Sequence, residues 1–328
     1  MRRISLILSL SVIAACGSPG GDQGAASVTS STTTAPGSTT TLAPGSTTTV
    51  SVGFPVTVSA ANGEVTVEQA PQRIVSLAPT ATEVLFAIGA GDQVVAVDEF
   101  STYPAEAPIT DLSGFEPNVE AVAGYEPDLV VVSDDLNDVV AGLQAVDIPV
   151  VHLPAAVDLD ETYSQIEVLG VITGNLGDAA ELVSSMQTDI EELASSVSDP
   201  SEPLTFYHEL DSSLFTVTSA TFIGQIYQLA GLENIADQAG GAETGYPQLS
   251  AEYIIQADPD LIFLADTKCC GESAETIATR PGWDQLTAVT AASVVELDDD
   301  VASRWGPRVV DLLETIVGAV EQVDVEGP

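Results

Sequence analysis

The sequence predicts an α/β protein of two similar lobes joined by a helical connection, on three observations. One stretch occurs twice: "NVEAVAGYEPDLVVVS" at residues 118–133 aligns without gaps on "SAEYIIQADPDLIFLA" at residues 250–265, setting Asn118 on Ser250, Glu120 on Glu252, Pro127 on Pro259 and Asp128 on Asp260. The strand-like end of each copy is continuously apolar, as a parallel strand covered on both faces requires. Between the copies, residues 159–198 carry helical periods with almost no strand signal.

The elements follow in chain order. Arg2 and Arg3 precede the apolar run "ISLILSLSVIAA". A charged start, a short apolar core and small residues describe an export signal over residues 1–15, too short to span a membrane. The ending "IAAC" resembles the lipobox of bacterial lipoproteins, which makes Cys16 the lipidated first residue of the mature chain. Several acyl chains on one residue hold a protein at a membrane surface as a single chain cannot. Residues 16–53 are Ser, Thr, Pro, Gly and Ala, with "APGSTTT" at Ala35 and again at Ala43. They lack apolar content for a core and read as a flexible tether with a coil span of roughly 30–36 Å.

A first α/β lobe is expected over residues 54–157. It begins with alternating apolar and polar residues around Asn62-Gly63, a hairpin signal. "RIVSLAP" is a buried strand leading into the helix "TATEVLFAIGAG", and "VVAVD" is a second strand. A short helix capped by Asn118 feeds the strand "DLVVVS", and "DVVAGLQAV" with "IPVVHLP" repeats the helix–strand beat. The helical bridge occupies residues 158–200, as "TYSQIEVLGVITG" and then "DAAELVSSMQTDIEELASSV", closed by Asp199-Pro200. A second lobe over residues 201–328 starts at "LTFYHEL" and continues through the helices "ATFIGQIYQLAG" and "SAEYIIQA". The strands "DLIFLAD" and "SVVELD" and the helix "PRVVDLLETIVGAVEQV" complete it. Lobe, helix, lobe is the organisation.

Seven Lys and Arg stand against 49 Asp and Glu, a net charge of −42. Such a chain is a poor partner for nucleic acid or for an anionic membrane patch, and the excess reads as a solvated acidic surface. Its 45% hydrophobic content argues against global disorder. No Gly-x-Ser-x-Gly elbow, phosphate loop or zinc-protease motif is present, and no catalytic residues are expected.

Glu120 and Glu252 lie two residues past good N-caps, where the helix dipole favours a carboxylate. Open α/β sheets bind ligands beyond the carboxyl ends of their strands. That rule collects Pro79, Thr80, Phe100, Tyr103, Ser133 and Asp134 from the first lobe. From the second it collects Glu209, Phe215, Tyr246, Asp266, Lys268, Arg304 and Trp305. His208 in "FYHELD" is either an axial ligand to a chelated metal or a structural histidine. With only His152 and His208 in the chain, a closed transition-metal site is not expected. In an exported chain with Cys16 lipidated, Cys269 and Cys270 are left to each other, as a disulfide, as two thiols or as metal ligands. Neighbouring α-carbons lie about 3.8 Å apart, closer than the usual disulfide range of about 4.4–6.8 Å.

The pieces "PQRIVSLAPTATEVLFAIGAGDQVVAV", "VEAVAGYEPDLVVV", "YPQLSAEYIIQADPDLIFLA", "RPGWDQLTAV" and "GPRVVDLLE" occur in one order. Together they resemble the substrate-binding proteins of ABC importers for vitamin B12, haem and ferric siderophores. The resemblance covers nearly all of residues 54–323. It implies the class III periplasmic-binding-protein fold: two Rossmann-like α/β lobes joined by a single long helix, with ligand in the cleft between them. It implies docking of Glu120 and Glu252 onto arginines of a permease. It also implies aromatic cover of the ligand by Phe100, Phe215 and Tyr246, and a cleft arginine at Arg304. Ser133 and Gly114 stand where the B12 binder has tryptophans, a departure from the cobalamin pattern. The implied partners are a permease with its ATPase, a metal chelate and, through the lipid anchor, a membrane. The protein is expected to be an extracytoplasmic monomer without a cofactor of its own. The few arginines of the folded part suit a neutral or weakly charged chelate, a corrinoid or hydroxamate siderophore, over an anionic catecholate complex. A surface haem or chelate receptor or sensor without an importer, and an exported enzyme, are the alternative readings.

Overall fold

The computed structural model describes residues 53–197 and 203–326. The export segment, Cys16 and the tether up to residue 52 lie outside the described residues. Among those described, no helix is long and apolar enough to cross a membrane.

The chain opens with an antiparallel hairpin of β1 (Val56–Ala60) and β2 (Gly63–Val67), turning at Asn62-Gly63 with Gly63 at φ 102°. A positive φ there is what glycine supplies without steric penalty. The turn is tied to a later strand, since Asn62 Nδ2 donates to the Val150 carbonyl at 2.9 Å.

The first sheet takes β3 (Ile74–Leu77), β4 (Val94–Val97), β5 (Leu129–Val132) and β6 (Val150–His152), all parallel, in the order β4-β3-β5-β6. Its helices are α1 (Pro79–Ala87), α2 (Val119–Ala123) and α3 (Val139–Gln144). Two helices follow, α4 (Leu159–Thr173) and α5 (Leu176–Ser196). They part at Gly174, whose φ of 84° ends α4 in the left-handed region. Close packing of the pair depends on Gly170, where an added Cβ would sit 2.4 Å from that of Ala179. The 21-residue α5 is the long helix between the sheets. It buries Ala179, Val183, Met186 and Ile190, a three-and-four spacing along one face.

The second sheet has β7 (Thr205–Glu209), β8 (Glu233–Asn234), β9 (Leu261–Leu264) and β10 (Val294–Glu296), again parallel, in the order β10-β9-β7-β8. Counted along the chain within each lobe, both sheets read 2-1-3-4, so the duplicated stretch supplies the third strand of each. Around this sheet lie α6 (Phe222–Leu229), α7 (Ala251–Ala257), α8 (Thr267–Cys270), α9 (Ala274–Ala278), α10 (Thr287–Thr290), α11 (Asp299–Ala302) and α12 (Val309–Glu326). The strands β3, β5 and β9 are buried at every position, as their apolar runs require. One core passes from the first sheet through α4, α5 and α12 to Phe206 and Phe263 of the second. Two further clusters cover the other face of each sheet, one around Val130 and Leu143, the other around Tyr207 and Trp283.

Candidate functional site

The duplicated aspartates show how each sheet is built. Asp128 accepts from the backbone N–H groups of Gln72 at 2.8 Å and Arg73 at 2.9 Å, just ahead of β3. Asp260 accepts from the N–H of Thr205 at 2.8 Å and from its hydroxyl at 2.7 Å, at the start of β7. In each lobe one carboxylate therefore fixes the third strand against the first. The strands then run to a common edge, where the chain leaves for its loops.

At that edge of the first sheet, Pro79 opens α1 and Thr80 is buried behind it. Thr82 donates to Ser76 Oγ at 2.9 Å and lies 2.9 Å from Ser101 Oγ, and Ser101 in turn donates to Asp98. Burial raises the Asp98 carboxyl above its ordinary range, offset in part by that hydroxyl and by the Arg304 charge. This buried chain anchors the loop that carries Phe100 and Tyr103, both nearly half exposed. Phe100 meets Phe115 edge to face, with ring centroids 5.3 Å apart, and Phe115 is 65% exposed. Sequence reasoning missed Phe115, although an aromatic in the turn-rich "SGFEP" was a legible signal. Ser133 and Asp134 follow β5, joined by a 3.0 Å hydrogen bond, with Asp134 exposed.

In the second lobe, Phe215 pairs with Gln248 in an isolated antiparallel bridge beyond β7. Phe215 and Tyr246 are 38% and 50% exposed. Large aromatics with this much surface in contact with water lose hydrophobic free energy that a flat ligand would recover. The expected aromatics thus lie exposed in loops beyond the carboxyl ends of both sheets.

The two lobes are clasped where these edges meet. Glu83 of α1, 2% exposed, takes Arg304 Nη1 at 2.6 Å and Arg308 through Nε at 2.9 Å and Nη2 at 2.5 Å. Arg304 also donates to the Phe100 carbonyl at 2.8 Å and to Asp300 at 2.7 Å. Tyr103 stacks under the Arg308 guanidinium at 4.3 Å, and Trp305 Nε1 donates to Gln165 at 3.2 Å. Trp305 shares a small crevice with Thr80 and Gln165. No local pattern could have revealed Glu83, which lies 221 residues from Arg304.

Two expectations need correction. His208 is not on the cleft surface: it is fully buried, with Nδ1 2.8 Å from the Tyr227 hydroxyl, and burial lowers its pKa to about 3. Without solvent exposure it cannot reach a ligand held between the lobes. Arg304 is not available to an anionic ligand, since Glu83 and Asp300 engage its guanidinium. Lys268 is exposed but paired with Asp298 at 2.6 Å and Asp300 at 3.4 Å. The remaining cations among the described residues are engaged too: Arg73 on the Tyr125 and Glu126 carbonyls, Arg280 on Glu209 and Glu272, Arg308 on Glu83.

Glu120 and Glu252 are exposed, each at the second position of its helix. The capping work is done by their neighbours, since Asn118 accepts from Ala121 N–H at 3.0 Å and Ser250 from Tyr253 N–H at 3.2 Å. The sulfurs of Cys269 and Cys270 are joined in α8, with α-carbons 3.8 Å apart. An open groove of about 900 Å³ lies at the opposite edge of the second sheet, against Leu261, Ser293 and Gly318, away from all these residues.

The periplasmic binding protein family matches the chain over residues 74–301. An uncharacterised ABC transporter substrate-binding lipoprotein of Bacillus subtilis is 32% identical over 270 residues, covering 80% of this chain and 83% of the relative. A cobalamin-binding protein of Halobacterium salinarum is 30% identical over 275 residues, covering 81% of this chain and 74% of the relative. Among solved structures, the periplasmic vitamin B12 binding protein of Vibrio cholerae superimposes with a TM-score of 0.63 at 25% identity, covering 78% of this chain and 98% of that one.

Proposed function

The chain belongs to the periplasmic binding protein family, as a binding protein and not an enzyme, and we propose that it captures a metal chelate for an ABC importer. In this reading it is an extracytoplasmic lipoprotein held by Cys16. Residues 16–53 form its tether, and Glu120 and Glu252 meet basic residues of the permease. It works as a monomer, needs no cofactor and hands its cargo to the permease–ATPase complex.

One observation carries the choice of cargo. The exposed aromatics Phe100, Phe115, Phe215 and Tyr246 offer flat apolar surface, while every basic residue among the described residues is already engaged. A triply anionic catecholate complex would find no guanidinium free of a carboxylate beyond the carboxyl ends of the strands, since Arg73, which has only carbonyl partners, stands ahead of β3 at the other end. A neutral corrinoid or hydroxamate chelate needs none, and the cobalamin-binding relative supports the corrinoid. Glu83 with its two arginines holds the lobes together before ligand arrives, which lowers the ordering cost of binding.

The test is a visible-spectrum titration of the purified chain with cyanocobalamin, a ferric trihydroxamate, haemin and a ferric tricatecholate. Saturable binding of one of the first two, with the catecholate excluded, is the expected result. Exclusive binding of the catecholate, or no spectral change and no column retention with any of the four, overturns the reading.

A further inference from the structure

Three carboxyl groups converge at the carboxyl edge of the second sheet. Glu209 ends β7, Asp266 follows β9 and precedes α8, and Glu272 follows α8. One oxygen of each lies within 4.8 Å of the others. Arg280 is the cation among them, forked onto Glu209 at 2.6 and 2.6 Å and reaching Glu272 at 3.0 Å. Three carboxylates and one guanidinium leave a formal charge of −2 in a mostly buried space, with Glu209 and Asp266 both at 0% exposure.

Asp266 makes the cluster more than an acidic patch. Neither of its carboxylate oxygens has a hydrogen-bond partner, although both are buried. Buried polar groups are partnered as a rule, and an uncompensated buried carboxylate is costly. Its neighbours cannot supply the missing donors. Arg280 is spent on Glu209 and Glu272. The Tyr207 hydroxyl donates to Glu209 at 3.2 Å, and the Thr276 hydroxyl to Glu272 at 2.7 Å.

We propose that Glu209, Asp266 and Glu272 form a binding site for a hard divalent cation, calcium before magnesium. A dication cancels the local charge of −2. The three oxygens all lie within 4.8 Å of one another, close enough for one calcium ion to reach each of them at about 2.4 Å. Calcium accepts the irregular coordination that carboxylates shared with Arg280 would offer, whereas magnesium demands near-ideal octahedral geometry. Carboxylates alone, without imidazole or thiolate, select hard cations over zinc or copper. Asp266 supplies both free oxygens, and Glu209 and Glu272 supply lone pairs that Arg280 leaves open; water completes the shell. Residues 266–272 carry two of the three ligands and enclose Cys269 and Cys270, so the ion fixes this segment at the rim of the sheet. The inference stands apart from the identity of the chelate.

Terbium, a luminescent stand-in for calcium, tests the site on the full chain after chelator treatment. Excitation at the buried rings of Tyr207 and Trp283, 6.1 Å apart, should sensitise terbium emission. Emission is expected to saturate near one equivalent and to be reversed by calcium. Asp266→Asn is expected to weaken terbium binding at least tenfold and to abolish a calcium-dependent rise in the melting temperature. Without calcium, the same variant is expected to melt no lower than the parent chain, because an unpaired buried charge is gone. Glu272→Gln, at a partly exposed position, gives the same binding readout should Asp266→Asn fail to fold. Equal terbium binding by the parent and the variants, or only multi-equivalent binding to surface acids, overturns the proposal. So does a melting temperature that calcium raises no more than sodium at equal ionic strength.

Discussion

His208 shows how a single residue can invite two readings and a structure decide between them. Next to the strand end and rich in metal chemistry, it suited a cleft ligand; in the fold it points into the core against Tyr227. Its folded pKa of about 3 lies below the ordinary 6.5, because burial disfavours the imidazolium. Between those two values the unfolded chain binds a proton that the folded chain refuses. The contribution to stability is therefore present in full above pH 6.5 and is lost as the pH falls towards 3, about 5 kcal/mol at its upper limit. In NMR the His208 ring is expected to stay neutral down to about pH 4, and titration near pH 6.5 in the folded protein would contradict the buried placement. The rule that ligands gather beyond the carboxyl ends of the strands, with the family resemblance, pointed to Phe100, Phe215, Tyr246 and Glu209. Neither could tell an inward from an outward side chain one position away, nor show that Arg280 and Glu272 close on Glu209 from 71 and 63 residues downstream (280 − 209 and 272 − 209).

Among the elements, the repeated strands β5 and β9 were the most legible, because a run of buried apolar residues bounded by Pro-Asp leaves little alternative. Short pieces escaped notice. The two-residue β8 and the four-residue helices α8, α10 and α11 are too brief to show a period, and are held by tertiary contacts. Asp299 illustrates the point: its carboxylate accepts from the N–H groups of Thr267, Lys268 and Cys269, gathering the start of α8 from 30 residues away. The duplicated aspartates do comparable work for the sheets. Asp128→Ala removes two charge-assisted bonds from backbone N–H groups, and Asp260→Ala removes one from a backbone N–H and one from the Thr205 hydroxyl. Each is expected to lower stability by roughly 2–3 kcal/mol, read as a shift in the urea midpoint. Chelate spectra should not change. A stability loss under 0.5 kcal/mol in both would deny the carboxylates this role.

For the whole molecule, the repeat places one exposed glutamate on the same helix position of each lobe, and the N-caps need neither. Two separate acidic contacts would set the orientation of the body over a permease and steer encounter. Reversing both, Glu120→Lys with Glu252→Lys, is expected to abolish uptake in cells while chelate affinity of the purified chain stays within twofold. Undiminished uptake would remove docking from their role. The division into lobe, helix and lobe was readable from periodicity alone. The clasp around Glu83 was not, since its partners are brought together only by the completed fold. Neither was the apolar core that runs unbroken from β3 through α5 and α12 to β9. That continuity has an energetic consequence: neither half can come apart without baring the surface it shares with the other. The two lobes are therefore expected to unfold together, in one transition.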